Sequence, residues 1–166
     1  MSTEKAKVAV FVGELHFSLE ADIDTASDYG LKKVRVCDGD HAAADVRFEK
    51  TYTTDLWSED ALLRCMDELV DEFKSRLVLT FSEVTVVPAG FISERLGVSG
   101  LPLDVANRCR SKFLMRQALA DARMPVPEFR LIDSVEDLAG THHSMSGFPP
   151  DLQTRTRLCQ SGNTAR

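Results

Sequence analysis

Short runs of β-branched and apolar residues alternate with helical stretches over the first part of this chain. Four such runs predict strands, since each is short and bounded by turn residues: Lys7 to Val12, Val34 to Cys37, Phe48 to Thr53 and Leu77 to Phe81. Strands that alternate with helices through short connections are typical of a parallel sheet covered by helices. We therefore predict a three-layer α/β unit with a Rossmann-like parallel sheet of about four strands over residues 5–98.

Three segments between these runs predict helices. His16 to Tyr29 mixes apolar and acidic residues, and Gly30 after it is a good C-terminal cap. Ser58 precedes two acidic residues and an apolar pattern at helical spacing, so it predicts a helix N-cap. That pattern consists of Leu62, Leu63, Met66, Leu69, Val70 and Phe73. Val84 to Leu96 predicts a helix despite Pro88, ended by Gly97.

A composition break from Gly97 to Pro102 is followed by a different kind of segment. Asp104 to Ala122 predicts a strongly helical stretch, which carries a cationic patch on an acidic protein. Met124 to Pro127 predicts extended chain, because each proline disfavours helix at the residue before it. Phe129 to Ile132 predicts a short strand, and Ser134 to Asp137 the capped start of a further helix.

The last residues, 148–166, show no sustained period of a helix or a strand. They contain three arginines and one aspartate, whereas the rest of the chain is acidic. We predict a disordered or loosely attached tail, which gives three regions in all: 5–98, 99–147 and 148–166.

Charge and hydropathy argue against several classes of partner. The net charge is −6 and the isoelectric point about 5.2, so a phosphate backbone would be repelled and no nucleic-acid partner is expected. No apolar run approaches the roughly 20 residues that span a bilayer, and the first residues lack the pattern of a signal peptide. We expect a cytoplasmic protein without a membrane partner.

Familiar catalytic and metal-binding motifs are missing from the sequence. The four cysteines form no Cys-x-x-Cys pair, which favours free thiols over a metal site, and His142-His143 lies in a polar loop. No glycine-rich phosphate loop and no serine nucleophile motif occurs. Asp38 and Asp40 flank a turn, where solvated carboxylates are the usual interpretation.

The informative stretch runs from Glu83 to Asp137, and its centre is Arg110 to Leu119 followed by Arg123 to Pro127. It resembles the segment of ATP-grasp enzymes in which a lysine opens a helix, an Arg-x-x-Leu run continues it, and Gly-Val-Pro-x-Pro leads into a strand. The family includes biotin carboxylase, the large chain of carbamoyl-phosphate synthase, D-alanine ligases and dipeptide-forming amino-acid ligases. The resemblance is good over residues 77–149 and rests on strand order alone over 7–76.

The resemblance implies roles for two residues. Lys112 matches the family's first ATP-contacting lysine, and a lysine at a helix start is suited to phosphate oxygens. Glu83 follows the clearest strand, where open α/β sheets place their ligands, and is the candidate substrate contact. The resemblance also implies that the full-length protein uses ATP and Mg²⁺ to join a carboxylate to an amine through an acyl-phosphate.

The sequence departs from the family pattern at three places. Ser111 stands where the family usually has aspartate, and Arg123 where it often has glycine. After Pro149 the family continues with a Lys-Pro strand and a glycine-rich loop, whereas this chain reads Asp-Leu-Gln-Thr-Arg. We therefore expect an inactive N-terminal fragment. A reading-frame change near Pro150 is one hypothesis for the tail, and the coding DNA tests it.

Two other functions stay open at this point. The chain could be a non-enzymatic α/β module that binds a small ligand or a protein through the sheet edge or the basic helix. A response-regulator-like domain fits less well, because Gly13-Glu14 offers one acid and Asp55 is poorly placed. The incomplete second lobe should expose apolar surface, so a homodimer is a further expectation.

Overall fold

The structure is a computed structural model, and it describes residues 5–14, 20–39, 45–132 and 134. These residues form two compact units. The first extends to Ala106, and the second begins at Asn107. The expected tail and the helix start at 135–137 lie outside the described residues.

A four-stranded parallel sheet forms the centre of the first unit. Its strands are β1 (Ala6–Val12), β2 (Lys32–Cys37), β3 (Lys50–Thr53) and β4 (Phe73–Leu79). The spatial order is β3-β2-β1-β4, and every neighbouring pair is parallel. The predicted α/β fold is thereby confirmed.

Two helices connect strands of this sheet, and a third follows its last strand. They are α1 (Glu20–Asp28), α2 (Glu59–Glu72) and α3 (Val86–Leu96), and a 3-10 turn at Glu83–Thr85 leads into α3. Ser58 is the N-cap of α2, as predicted, and its side chain accepts a hydrogen bond from the Ala61 N–H at 3.3 Å. Pro88 is tolerated because it occupies the first turn of α3, where N–H groups have no partner within the helix.

The two faces of the sheet carry different cores, because side chains alternate along β1. Val8, Val10 and Val12 belong to a large cluster with residues of α2 and α3. Ala9 and Phe11 point to the opposite face and pack with Ala26 of α1 and with Phe48. Helices therefore cover both faces, which is the three-layer arrangement expected from the sequence.

The start of β4 differs from the prediction. The apolar spacing assigned Phe73 to the preceding helix and began the strand at Leu77. In the structure, α2 ends at Glu72 and Phe73 already pairs with Ala6 of β1. The Phe73 N–H still donates to the Leu69 carbonyl, so one residue closes the helix and opens the strand. Phe73 fits the apolar spacing of the helix and also the start of the strand, so spacing alone does not show to which element it belongs.

Beyond α3 the chain passes alongside β4. Ser99 forms an isolated parallel bridge with Leu77, and the Val78 N–H donates to the Ser99 carbonyl at 2.8 Å. The Ser93 hydroxyl of α3 donates to the Leu101 carbonyl at 3.0 Å. The glycine-containing break thus runs as an ordered segment against the sheet.

The helical stretch predicted for Asp104 to Ala122 is confirmed, but a break at Ser111 divides it. The structure has two helices, α4 (Leu103–Arg110) and α5 (Lys112–Asp121). Ser111 between them has extended backbone, and its hydroxyl accepts a hydrogen bond from the Leu114 N–H at 3.3 Å. A serine that caps the second helix in this way competes with the helical conformation at its own position.

The strand predicted for Phe129 to Ile132 is also wrong, since the structure assigns no strand there. The Phe129 ring instead lies edge-on against Phe113 of α5, with ring centroids 5.6 Å apart. A strand needs a hydrogen-bonded neighbour, and none of the described residues of the second unit supplies one. An apolar run can therefore bury a side chain by packing it against another aromatic ring, without forming a strand.

Arg123 ends α5 in a conformation that favours glycine. Its φ is +58°, and no other described residue except glycine has a positive φ. Its N–H donates to Ala120 and the Met124 N–H to Leu119, both at 2.9 Å. The same pair of bonds ends α1 at Gly30 and α3 at Gly97. The turn therefore forms here despite the arginine.

We predict that Arg123→Gly stabilises the second unit by about 1 kcal/mol, because the left-handed conformation costs an L-residue roughly that much. Urea unfolding and hydrogen exchange of the Met124 amide measure the gain. Gly97→Ala, the reverse change at the matching position of α3, should lose a similar amount. Equal stability of Arg123→Gly and the parent chain would contradict the strain assigned to Arg123.

The cysteines differ in their expected reactivity. Cys65 and Cys37 are buried, whereas Cys109 is exposed. Burial raises the pKa of the Cys65 thiol to about 11, with smaller increases from Glu68 and Cys37. At pH 8 the thiolate fraction of Cys65 is then roughly two orders of magnitude below that of an ordinary thiol. Among the three described cysteines, iodoacetamide labelling with peptide mapping should modify Cys109 first and Cys65 only in urea. Early labelling of Cys65 in buffer would contradict its burial.

Candidate functional site

The topology of the sheet places one crevice at the carboxyl ends of its strands. The chain passes from β1 outward through β2 to β3, and then returns to the other side of β1 as β4. The connections that leave β1 and β4 therefore diverge, and open α/β sheets bind ligands at this point. Gly13 follows β1 directly, and residues 80–85 follow β4.

A cleft of about 120 Å³ lies at this point of the first unit. The described residues that line it are Gly13, Glu14, Asp38, Leu56, Trp57, Ser82, Val84 and Thr85. Pockets for drug-sized ligands measure about 300–1,000 Å³, so this cleft has room for one end of such a ligand.

Gly13 and Thr85 form the tightest contact of the cleft. Gly13 has a φ of +94°, and a Cβ built on it would lie 2.6 Å from Thr85 Oγ1 and 2.7 Å from Cγ2. The Thr85 hydroxyl is 2.7 Å from the Thr80 hydroxyl and donates to the Val12 carbonyl at 3.2 Å. Thr85 therefore ties the end of β1 to the segment after β4, and only glycine leaves room for that contact.

A buried arginine supports the end of β1 from the neighbouring strand. Arg35 on β2 is only 7% exposed, and its Nε donates to the Gly13 carbonyl at 3.2 Å. The Gly13 N–H donates to the Val36 carbonyl at 2.8 Å. Both backbone polar groups of Gly13 are thus bonded to β2, which fixes the position of Glu14 after it.

Two aspartates shape the loop between β3 and α2. Asp38 accepts a hydrogen bond from the Leu56 N–H at 3.0 Å, and Asp55 accepts one from the Trp57 N–H at 2.8 Å. Asp38 lines the cleft, whereas Asp55 is exposed and does not. Trp57 is 36% exposed and lines the cleft.

Glu83, the predicted substrate contact, opens the 3-10 turn after β4. It is exposed, and it is not among the lining residues although Ser82, Val84 and Thr85 are. The structure therefore places Glu83 beside the cleft. Its contact with a substrate stays a prediction.

Lys112, the predicted ATP contact, is the first residue of α5 in the second unit. Its side chain is exposed, and it stands directly after the capping Ser111. The free N–H groups and the dipole of a helix N-terminus favour anions, and the lysine adds a full positive charge. The position fits a phosphate group, and ATP contact by Lys112 stays a prediction.

The described residues contain no group of three or more histidine, cysteine or acidic side chains that could hold a metal ion. Nor is any helix in the described ranges long and apolar enough to cross a membrane.

Sequence reasoning missed most of the cleft. Asp38 was interpreted as a turn residue, Glu14 was considered only as a single acid after the first strand, and Trp57 and Thr85 were not singled out. The available signal was positional, because Glu14 and Asp38 directly follow strands whose carboxyl ends meet at one edge. The Gly13–Thr85 contact joins residues far apart in sequence, and no spacing reveals it.

Comparison with known proteins gives matches among solved structures. No family model and no curated protein matches the chain. An L-amino acid ligase from Bacillus licheniformis has a TM-score of 0.64 and 21% identity, and the match covers 81% of this chain and 35% of the ligase. An N5-carboxyaminoimidazole synthetase from Staphylococcus aureus, solved with ADP, has 0.58 and 10%, covering 86% and 36%.

The biotin carboxylase domain of a single-chain bacterial carboxylase has a TM-score of 0.54 and 16% identity, covering 82% of this chain and 34% of that one. The chain therefore spans about a third of the length of these structures. At these identities the likeness concerns the fold. The described residues have the fold of the N-terminal part of ATP-grasp enzymes.

Proposed function

We propose that this chain forms the N-terminal part of an ATP-grasp ligase that joins a carboxylate to an amine through an acyl-phosphate. The observation that carries the proposal is the fold, which matches a ligase and a biotin carboxylase domain over more than four fifths of the chain. The position of Lys112 at the head of α5 adds independent support from the sequence motif.

The role proposed for Lys112 is to neutralise phosphate charge. A lysine ammonium beside a triphosphate reduces the repulsion that opposes attack on the γ-phosphate. Ser111 supports this role, because serine and aspartate are both good N-caps and Ser111 bonds the Leu114 N–H. The departure from the family's aspartate therefore preserves the start of the helix.

The role proposed for the cleft is to hold part of the substrate, with Glu83 at its edge. Mg²⁺, when bound, would offset part of the negative charge of the phosphate groups. The residues of this chain contribute the cleft and one phosphate contact to that arrangement. Because the chain spans about a third of the similar structures, we expect weak ATP binding and no ATP turnover by the 166 residues alone.

An NMR titration of the ¹⁵N-labelled chain with ATP tests the role of Lys112. Amide shifts should appear at the start of α5, and Lys112→Ala should weaken binding about tenfold, as expected for a charge-assisted contact. Lys74→Ala, which removes an exposed lysine on β4, is the control and should change nothing. Shifts at α5 that persist in Lys112→Ala would contradict the proposal.

A turnover assay separates this proposal from a self-sufficient nucleotide-binding module. Release of phosphate from ATP should stay at the background rate in the chain and in Lys112→Ala. Turnover that Lys112→Ala abolishes, or tight ATP binding by the chain alone, would support the self-sufficient module instead.

A further inference from the structure

The second unit is basic although the chain as a whole is acidic. Its described residues, 107–132 and 134, include six cations and two carboxylates, whereas the net charge of the chain is −6. The side chains of Lys112, Arg116 and Arg123 form no ion pair or hydrogen bond with any described residue. Like charges four residues apart on a helix repel each other, so this arrangement costs stability until anions lie against it.

These three cations form a basic stripe along α5. A helix turns by about 100° per residue, so Arg116 returns to the face of Lys112, and Arg123 follows the same line just beyond the end of the helix. Arg123 is kept there in a left-handed conformation that glycine would adopt at lower cost. α5 has no buried residue, so its basic stripe lies on an uncovered helix.

An acidic stripe with the reverse spacing lies on α2 of the first unit. Asp60, Asp67 and Asp71 are exposed, and their side chains pair with no described residue. The basic stripe advances by four residues and then by seven along the chain, and the acidic stripe does so when it is followed backward from Asp71. Two antiparallel helices present their residues in opposite order, so each cation of the basic stripe would face one carboxylate.

Apolar residues flank both stripes on the side that meets in an antiparallel pair. On α5 these residues are Met115 and Leu119, both half-buried. On α2 they are Leu63 and Val70, and Val70 is 41% exposed. Arg64 also lies on this face of α2, but its position would be opposite the uncharged Leu119, so it adds no repulsion. The two helices are therefore complementary in charge and in their apolar flanks.

We propose that α5 of one copy docks antiparallel against α2 of a second copy, so that the basic stripe meets the acidic stripe. The pairs in this register are Lys112 with Asp71, Arg116 with Asp67, and Arg123 with Asp60. The second copy is the occupant because it carries the opposite charges at matching intervals. Exposed ion pairs each contribute little and are screened by salt, so the association is weak and salt-sensitive. The inference goes beyond the proposed function, since it depends on the charges of the chain alone.

Sedimentation velocity of the full chain at low ionic strength measures the association. The mean mass should rise with chain concentration and fall when salt is added. Arg116→Glu and Asp67→Arg should each weaken the association about tenfold, because each places like charges opposite one another at the centre of the contact. Far-UV circular dichroism verifies that both variants keep the parent fold.

A mixture of the two variants tests whether the contact joins different copies. Equimolar Arg116→Glu and Asp67→Arg should associate as strongly as the parent chain, because the two altered helices again carry opposite charges and the two unaltered helices keep the parent pair. Glu94→Arg is the matched control, since it replaces an exposed acid on α3, outside both stripes, by arginine. It should leave the association unchanged.

The outcomes separate this contact from the role proposed for Lys112. A mass that does not change with concentration, equal losses in Glu94→Arg and Asp67→Arg, or a mixture that associates no better than its components would overturn the contact. ATP should compete with Asp71 for Lys112 and lower the mean mass at matched ionic strength. Association that mixing restores but ATP leaves unchanged would support the contact and overturn the ATP role of Lys112.

Discussion

Gly13→Ala is expected to lower the free energy of unfolding by about 2–5 kcal/mol, the largest effect of any change near the cleft. The free-energy cost at this position has two parts, one from the backbone conformation and one from steric overlap. The φ of +94° is unfavourable for any L-residue, and the new methyl group would overlap Thr85 Oγ1 and Cγ2 at 2.6 and 2.7 Å. Thr85 cannot move away freely, because its hydroxyl bonds Thr80 and the Val12 carbonyl.

Gly30→Ala separates the two costs. Gly30 has a φ of +69°, but a Cβ there would meet nothing within 4 Å, so only the backbone term of about 1 kcal/mol remains. Urea unfolding of both variants gives the steric term as the difference. In Gly13→Ala combined with Thr85→Ala the overlapping atoms are gone, so the two changes should cost less than their sum. A Gly13→Ala loss no larger than that of Gly30→Ala would show that the contact with Thr85 is unimportant.

Leu69→Ala should destabilise the first unit by about 3–4 kcal/mol. Leu69 has no exposed surface and belongs to the large core cluster between the sheet and its helices. Truncation removes buried apolar atoms and leaves a cavity that rigid neighbours on β1 and α3 can fill only in part. Urea unfolding followed by circular dichroism measures the loss.

The adjacent residue provides the control for Leu69. Val70 follows it on α2 and is 41% exposed, so Val70→Ala removes little buried surface and gains helix propensity. Its effect should stay within about 0.5 kcal/mol. Similar losses in the two variants would contradict the assignment of α2's buried face.

Much of the fold could be predicted because the sequence signals were local. β1 and β2 are runs of β-branched residues, Ser58 is a side-chain cap, and Gly97 ends α3 with a positive φ. Each of these features depends on a few neighbouring residues. The strand order β3-β2-β1-β4 follows from pairing between distant segments and is consistent with the α/β alternation.

The structure departs from the predictions where contacts that residue spacing does not reveal decide between two local conformations. Phe73 has helical spacing to Leu69, yet pairing with Ala6 draws it into β4. Ser111 is compatible with a helix interior, but capping Leu114 divides the helix in two. Phe129 lies in an apolar run and contacts Phe113 without forming a strand.

The candidate site was predictable only in part. Sequence resemblance identified Lys112, and the structure places it at a helix start. The cleft depends on which strand ends are neighbours and on the packing of Thr85 against Gly13. Neither feature can be predicted from the spacing of residues in the sequence. Glu83 was singled out for following a strand, while Asp38 follows another strand and reaches the lining itself.

The bridge between Ser99 and Leu77 has a consequence for how this sheet meets other molecules. An unpaired outer strand is a template on which a foreign strand can add and start aggregation. On the β4 side the chain's own segment occupies part of that template. On the opposite side β3 is only four residues long and begins with the charged Lys50. Both borders therefore discourage fibril-like growth.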